Sequence, residues 1–121
     1  MYRVHVRRHF DAAHALRNYH GKCENLHGHR YEVVVCLERP QLDETGMAFD
    51  FALLKKELDT VLERFDHQNL NEIAPFDRLN PSAENIACTI YQELEKRLPH
   101  ERLKYVKVWE SPDAWATYTK D

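Results

Sequence analysis

His27-Gly28-His29 places two imidazoles two residues apart. In extended backbone, residues i and i+2 point the same way, so both rings can reach one ion, and the glycine between them permits a close approach. His14 stands at the start of the same long connection. Three neutral imidazoles around an open fourth position are the pattern of a catalytic zinc site. Ligand type alone leaves nickel, copper and iron open as well. For an isolated His-x-His pair, the more frequent role is that of surface or hydrogen-bonding histidines. Cys23, four residues before His27, allows two readings. As a fourth ligand it would close the site and make it structural; as a free thiol beside a cation and Lys22 it would serve as base or nucleophile. Asp66-His67 could form a relay in which the carboxylate orients the imidazole, or simply cap a helix whose dipole favours a cation there. Glu110, among apolar neighbours at the end of a strand, could accept paired N–H groups from a ligand or be an exposed strand-end charge. Glu84, in the first turn of a helix, has the dipole as its plainest role.

Alternation and helical spacing define the elements that must position these residues. Tyr2 to Phe10 alternates, with Tyr2, Val4, Val6 and Phe10 on one face and Arg8 interrupting it, and reads as a half-buried strand. Arg30 to Glu38 is a second strand with Tyr31, Val33, Val35 and Leu37 on one face. The connection from Asp11 to His29 carries four histidines, a cysteine and two glycines, and connections of this length are uncommon unless functional. Asp50 reads as an N-cap, followed by Phe51, Leu54, Leu58, Val61, Leu62 and Phe65 at helical spacing. Asn80-Pro81-Ser82 starts a second helix, with the proline in its first turn, and Pro99 stops it. Leu103 to Glu110 is a third strand, with Leu103, Tyr105 and Trp109 opposite Val106, Val108 and Glu110, and Ala114 to Thr119 is a fourth. The order ββααββ predicts a single α+β domain over residues 1–121. A four-stranded antiparallel sheet carries both helices on one face. Such a sheet leaves a face and two edges uncovered, so self-association is expected.

The chain has 121 residues, enough for one core without staples. No apolar run approaches the ~18 residues of a membrane helix. Seventeen basic against 20 acidic residues give a formal charge of −3, which argues against a nucleic-acid partner. Three cysteines and no secretory signal point to a reducing cytoplasm. Eight histidines are the unusual feature, although His5, His9, His20 and His100 have no evident role. Cys36 and Cys88 read as core or face residues.

Taken in order, the motifs resemble the 6-pyruvoyl-tetrahydropterin synthase family. They are Phe10-Asp11-Ala12-Ala13-His14, Cys23-x-x-x-His27-Gly28-His29, Thr45-Gly46-Met47 with Phe49-Asp50-Phe51, Asp66-His67-x-x-Leu70-Asn71, Asn80-Pro81-Ser82-Ala83-Glu84-Asn85, and Val106-x-Val108-x-Glu110. Within the family, the short gap between Cys23 and His27 looks like that of the bacterial 6-carboxy-tetrahydropterin synthases of queuosine biosynthesis. The resemblance implies a T-fold (tunnelling fold), with trimers closing a barrel of strands and stacking into a hexamer, and a pterin substrate, 7,8-dihydroneopterin triphosphate. It implies His14, His27 and His29 as zinc ligands and Cys23 as the catalytic thiol, with Asp66 and His67 completing a triad across a subunit interface. It also implies Glu110 as pterin anchor and Glu84 as a secondary contact. Ala83 departs from the Ser or Thr often found there, leaving a backbone contact, while Ser82 keeps a hydroxyl. Arg17, Lys22 and Arg30 are candidates for the triphosphate by charge and proximity. The carboxy-forming reaction releases triphosphate and acetaldehyde. The alternatives are a pyruvoyl-forming enzyme without carbon–carbon cleavage, an aldolase-like member, against which the Cys23 thiol argues, and a zinc-stabilised pterin-binding module with no turnover.

Overall fold

The computed structural model describes residues 1–121. Strand β1 (Tyr2–His14) and strand β2 (His27–Arg39) pair antiparallel along their whole length, from Tyr2 opposite Arg39 to His14 opposite His27. Helix α1 (Phe51–Leu62) follows, then a two-residue strand β3 (Gln68–Asn69), helix α2 (Ala83–Arg97), and strands β4 (Arg102–Ser111) and β5 (Ala114–Tyr118). The sheet order is β3-β1-β2-β4-β5. No helix is long and apolar enough to cross a membrane.

The structure corrects the expected layout in four places. The first hairpin extends beyond the predicted ends at Phe10 and Arg30, so His14, His27 and His29 lie within strands, and the connection shrinks to Ala15 through Leu26. Small and polar residues in this extension hid it from an apolar alternation. Strand β3 runs parallel to β1, Ala12 opposite Gln68, making the sheet five-stranded and mixed; two residues have no periodicity to read. Helix α1 stops at Leu62, short of Phe65, and α2 starts after Pro81, with the Ser82 side chain accepting the Asn85 N–H at 3.1 Å. In β4, a shift of register opposite Cys36 and Leu37 turns Leu103 onto the same face as Val106 and Val108. A bulge changes face without any trace in the apolar pattern.

One contiguous core lies between the two helices and one sheet face. Val6, Phe10 and Ala12 of β1 and Tyr31, Val33, Val35 and Leu37 of β2 meet Leu54 and Leu58 of α1 and Ile86, Ile90 and Leu94 of α2. Arg8 interrupts the apolar face of β1 because it pairs with Asp59 of α1, Nε to Oδ1 at 2.9 Å. On the other face, Val34, Cys36 and Glu38 are buried without a helix over them. Neighbouring side chains close across them. Arg3 reaches Glu38 at 2.8 Å and Arg102 reaches it at 3.4 Å, while His5 bonds the Tyr105 hydroxyl at 2.7 Å. The outer edges of β5 and of β1 before Ala12 have no strand partner within the chain.

Packing, rather than the Arg8–Asp59 pair, holds α1 in place. Phe65, fully buried against Phe10 and Phe76, should cost about 3–5 kcal/mol when replaced by Ala. Asp59→Asn, at a half-exposed pair, should cost below about 1 kcal/mol. Urea unfolding of the two variants compares them directly.

Candidate metal centre and adjoining cleft

His14, His27 and His29 each offer a ring nitrogen, all within 4.8 Å of one another. His14 and His27 are opposite one another on the last rung of the hairpin, and His29 follows two residues along the same face. Backbone carbonyls settle the tautomers. The His14 Nδ1–H donates to Pro81 O at 2.6 Å, and the His27 Nδ1–H donates to Asn25 O at 2.6 Å. Each ring's Nε2 is then a bare lone pair, yet the two Nε2 atoms stand 3.1 Å apart. The His29 Nε2 is buried with no protein partner. Burial pushes the His14 and His29 imidazoles down from their ordinary range, against the opposing pull of Glu110, and so favours the neutral, ligating form. Converging lone pairs with no proton to share fit a cation held by three imidazoles, and a carbonyl behind a ligating ring is the usual outer support.

Two asparagines hold His14 in place. The Asn71 amide accepts from Ala15 N at 2.8 Å and donates to Ala15 O at 2.9 Å. The Asn80 amide does the same at Arg17, at 2.8 Å each way. Both side chains thus act as short pieces of strand along the chain that leaves β1. Asn85 in turn donates to Asn80 O at 2.8 Å, which ties this clamp to the start of α2 and to the Pro81 carbonyl behind His14. Nothing in the sequence marks a role for these asparagines, because each bonds backbone far away along the chain. Arg17 completes the same staple, bonding the carbonyls of Phe76, Leu79 and Asn71 at 2.8, 3.1 and 3.3 Å. This guanidinium is committed to structure, contrary to its selection for triphosphate. Arg30 is bound to Asp11 by two bonds of 2.9 and 3.2 Å. Of the three cationic candidates, only Lys22 is exposed without an ion-pair partner in the chain.

Cys23 sits half-buried in a single 3-10 turn, Lys22–Glu24, anchored where its carbonyl accepts from Leu16 N at 2.8 Å. Its sulfur is not in the group of converging ligand atoms. The structure therefore brings together the three histidines and leaves the thiol as a separate group.

Asp66 and His67 form their own pair, with His67 Nδ1 3.0 Å from Asp66 Oδ2. His67 lies past the end of α1 and adopts the left-handed conformation, φ 60°. That backbone turn sends the chain into β3, and the His67 N–H donates to Asp11 O at 2.6 Å. The other Asp66 oxygen accepts the Asp11 N–H at 3.0 Å. This backbone bond first, and His67 after it, hold the Asp66 carboxyl below the usual carboxylate range. A left-handed residue just past a helix end is also the common C-terminal cap position, so the cap and the pair with Asp66 coexist at His67. Asp11, which the sequence reading gave no role, is the hinge of the pair. No hydrogen bond or ion pair joins Cys23 to Asp66 or His67 within one chain.

Glu110 stands beside the metal centre, its Oε1 3.8 Å from His14 Nε2. It also lines a cleft of about 340 Å³ together with Leu16, Ser82, Ala83, Glu84 and Trp115. The structure thus places the three residues selected from sequence for ligand contact, Ser82, Glu84 and Glu110, around one space. Leu16 and Trp115 were missed, because nothing in an isolated Leu or Trp distinguishes a cleft wall from a core. Tyr31 is fully buried, its ring 5.6 Å from that of His14 and 5.5 Å from that of His29. Burial, and after it the Glu110 carboxylate, push its phenol far up, so it stays protonated.

Fold and site define a small α+β protein with a three-histidine candidate metal centre opening beside a cleft. A family model described as 6-pyruvoyl tetrahydropterin synthase matches residues 3–121. The chain belongs to that family. It is 39% identical over 109 residues to a dihydroneopterin monophosphate aldolase of Pyrococcus furiosus, covering 89% of each chain. It is 38% identical over 92 residues to a 6-carboxy-5,6,7,8-tetrahydropterin synthase of Synechocystis, covering 72% of this chain and 70% of that one. The solved structure of Caenorhabditis elegans 6-pyruvoyl tetrahydropterin synthase superposes with a TM-score of 0.86 at 34% identity, covering 100% of this chain and 98% of that one.

Two measurements test the centre. The protein should bind about one zinc per chain, and His27→Ala or His29→Ala should lose most of it; full retention in both variants would contradict the assignment. Without metal, stability should also depend on pH with a definite sign. The folded state lowers the proton affinity of His14 and His29, so the unfolded chain takes up more protons below about pH 6.5. The urea midpoint of metal-free protein should therefore be lower at about pH 5.5 than at about pH 7.5. A midpoint that does not fall would contradict the buried, neutral state of the cluster.

Proposed function

We propose that the chain is a zinc-dependent 6-carboxy-5,6,7,8-tetrahydropterin synthase. It would convert 7,8-dihydroneopterin triphosphate to 6-carboxytetrahydropterin, with release of acetaldehyde and triphosphate, in queuosine biosynthesis. The observation that carries this reading is the separation of Cys23 from the three converging histidines. Three imidazoles meet the protein-ligand count of a catalytic zinc site, which leaves the thiol free for chemistry. The Synechocystis relative bears the name of this activity.

His14, His27 and His29 would hold the zinc. When bound, the metal supplies Lewis-acid polarisation of the substrate's side-chain hydroxyls. Glu110 accepts N–H groups of the pterin ring, with Ser82 and Glu84 on the walls of the same cleft. Cys23, as thiolate, takes the carbon-bound proton next to the side-chain hydroxyl. His67, oriented by Asp66, moves protons at the side-chain oxygens. Because Cys23 has no bonded contact with Asp66 or His67 in its own chain, the triad would be completed between subunits. The unpaired edges of β1 and β5 offer the surface for a barrel of trimers stacked into a hexamer.

A second reading has one observation behind it. The Pyrococcus furiosus relative, at 39% identity over 109 residues, is a dihydroneopterin monophosphate aldolase. An aldolase would use the same metal and the same Glu110 anchor, would release a two-carbon aldehyde and would leave a hydroxymethyl pterin. The pyruvoyl-forming reaction, named for the Caenorhabditis elegans structure, would retain the whole side chain.

Incubation of zinc-loaded protein with dihydroneopterin triphosphate, followed by product mass analysis, separates these outcomes: the pyruvoyl product keeps the whole side chain, while the carboxy and hydroxymethyl products both keep one carbon and differ in mass through its oxidation level. The carboxy product is expected; a hydroxymethyl or pyruvoyl product, or no turnover, would replace the proposal. In the same assay Cys23→Ala should keep its zinc and fold and lose at least about a hundredfold in turnover, the lower end of a general-base contribution. Loss of zinc and stability together would make Cys23 a fourth ligand.

A further inference from the structure

Two buried side-chain polar atoms in the chain have no protein hydrogen-bond partner: His29 Nε2 and the Tyr31 hydroxyl. They lie two residues apart on the same face of β2. The first is a ring nitrogen of the histidine cluster, which a metal accounts for. The second is a donor, and a metal held by imidazoles does not account for it. Buried hydroxyls are nearly always paired, because an unmade bond costs about 1–3 kcal/mol of desolvation.

The surroundings of Tyr31 restrict the partner. Phe10 stacks on its ring at 4.9 Å and offers no acceptor. The His14 Nδ1 is spent on Pro81 O, and its Nε2 faces His27. Glu110 is the one charged group whose field reaches the hydroxyl. Glu32 pairs with Trp109 across β2 and β4, and Glu110 follows at a bulge of β4 against β5. Its carboxylate reaches the core face beside His14, whose ring stands 5.6 Å from that of Tyr31. The Glu110 side chain is largely shielded, and its one polar contact, 3.8 Å to His14 Nε2, is too long for a hydrogen bond. A donor without an acceptor thus stands near a carboxylate with no donor in the chain. A buried water typically bridges such groups.

We propose that the Tyr31 hydroxyl is hydrogen-bonded through one internal water to the Glu110 carboxylate, making Tyr31 the positioning residue for Glu110. The role rests on the reading of Glu110 as the pterin anchor, and it adds the reason a carboxylate at the end of β4 holds one orientation. A carboxylate fixed from behind presents its outer oxygens to a pterin without first losing rotamer freedom.

The test is a double-mutant cycle on zinc-loaded protein: wild type, Tyr31→Phe, Glu110→Ala and the double variant. Tyr31→Phe removes one oxygen and keeps the ring stacking. Two quantities are read, the urea midpoint and the affinity for the unreactive probe neopterin. Tyr31→Phe should lower the midpoint in the wild-type background and leave it unchanged in Glu110→Ala, since the bridge is already broken there. It should weaken neopterin by about tenfold, add no further loss to Glu110→Ala, and leave zinc content unchanged. Equal effects of Tyr31→Phe in both backgrounds, or a higher midpoint in the wild-type background, would overturn the link. A coupled midpoint with neopterin affinity unmoved by either single change would support the link and remove Glu110 as the pterin anchor.

Discussion

Two imidazole nitrogens, each deprived of its proton by a hydrogen bond made on the far side of the ring, face each other at 3.1 Å across the last rung of a hairpin. A third bare nitrogen, from His29, is buried beside them. Lone pairs in this arrangement repel, and no donor of another residue is hydrogen-bonded to them. The chain can keep them there because β1 and β2 pair along their full length and leave no freedom at the end of the ladder. The local cost is offset by burial of the remainder of both strands against α1 and α2. A cation turns the same repulsion into coordination, so fold and metal affinity are two sides of one constraint.

The rest of the site follows from how the chain is held once it leaves that rung. Asn71 and Asn80 bond both backbone groups of Ala15 and of Arg17, and so extend β1 with side chains instead of a strand. This clamp ties the loop bearing Cys23 to the segment that begins α2. The Pro81 carbonyl that sets the His14 tautomer lies in that same segment. Metal centre, thiol and the Ser82–Glu84 wall of the cleft therefore share one support. Arg17 is part of it, and for that reason is engaged by carbonyls rather than exposed to solvent.

Asp66 and His67 belong to a different support. Their pair is fixed by the backbone of Asp11, whose side chain binds Arg30. In β1, Asp11 and His14 fall on opposite faces of the strand. A single chain thus presents a metal centre and cleft on the helix side and a carboxylate–imidazole pair at the β1 edge. Joining the two through subunit contacts, as proposed above, gives a common purpose to the open sheet edges and the divided residues.

From the sequence alone, residue types and spacing determined which side chains could do chemistry. His27-Gly28-His29, with His14 upstream, marked out the histidine cluster that could hold a metal. Asp50 marked the start of α1 and the Asn80-Pro81-Ser82 run that of α2, and the apolar stripes of both helices and of β2 specified an α+β core, because local periodicity is written into neighbouring residues. Tertiary structure decided what depends on residues far apart in the chain. It lengthened the hairpin through Ala12, Ala13 and Gly28, which have no apolar signature. It added β3, which exists only through its pairing with β1. It turned Leu103 inward through a bulge and engaged Arg17 with three backbone carbonyls. It left Cys23 outside the ligand group, a choice that a three-residue gap to His27 could not make. It also placed Tyr31 and Glu110 beside the same histidine, His14. In each case the deciding quantity was a hydrogen bond or packing contact between distant segments, and spacing along a chain does not encode such contacts.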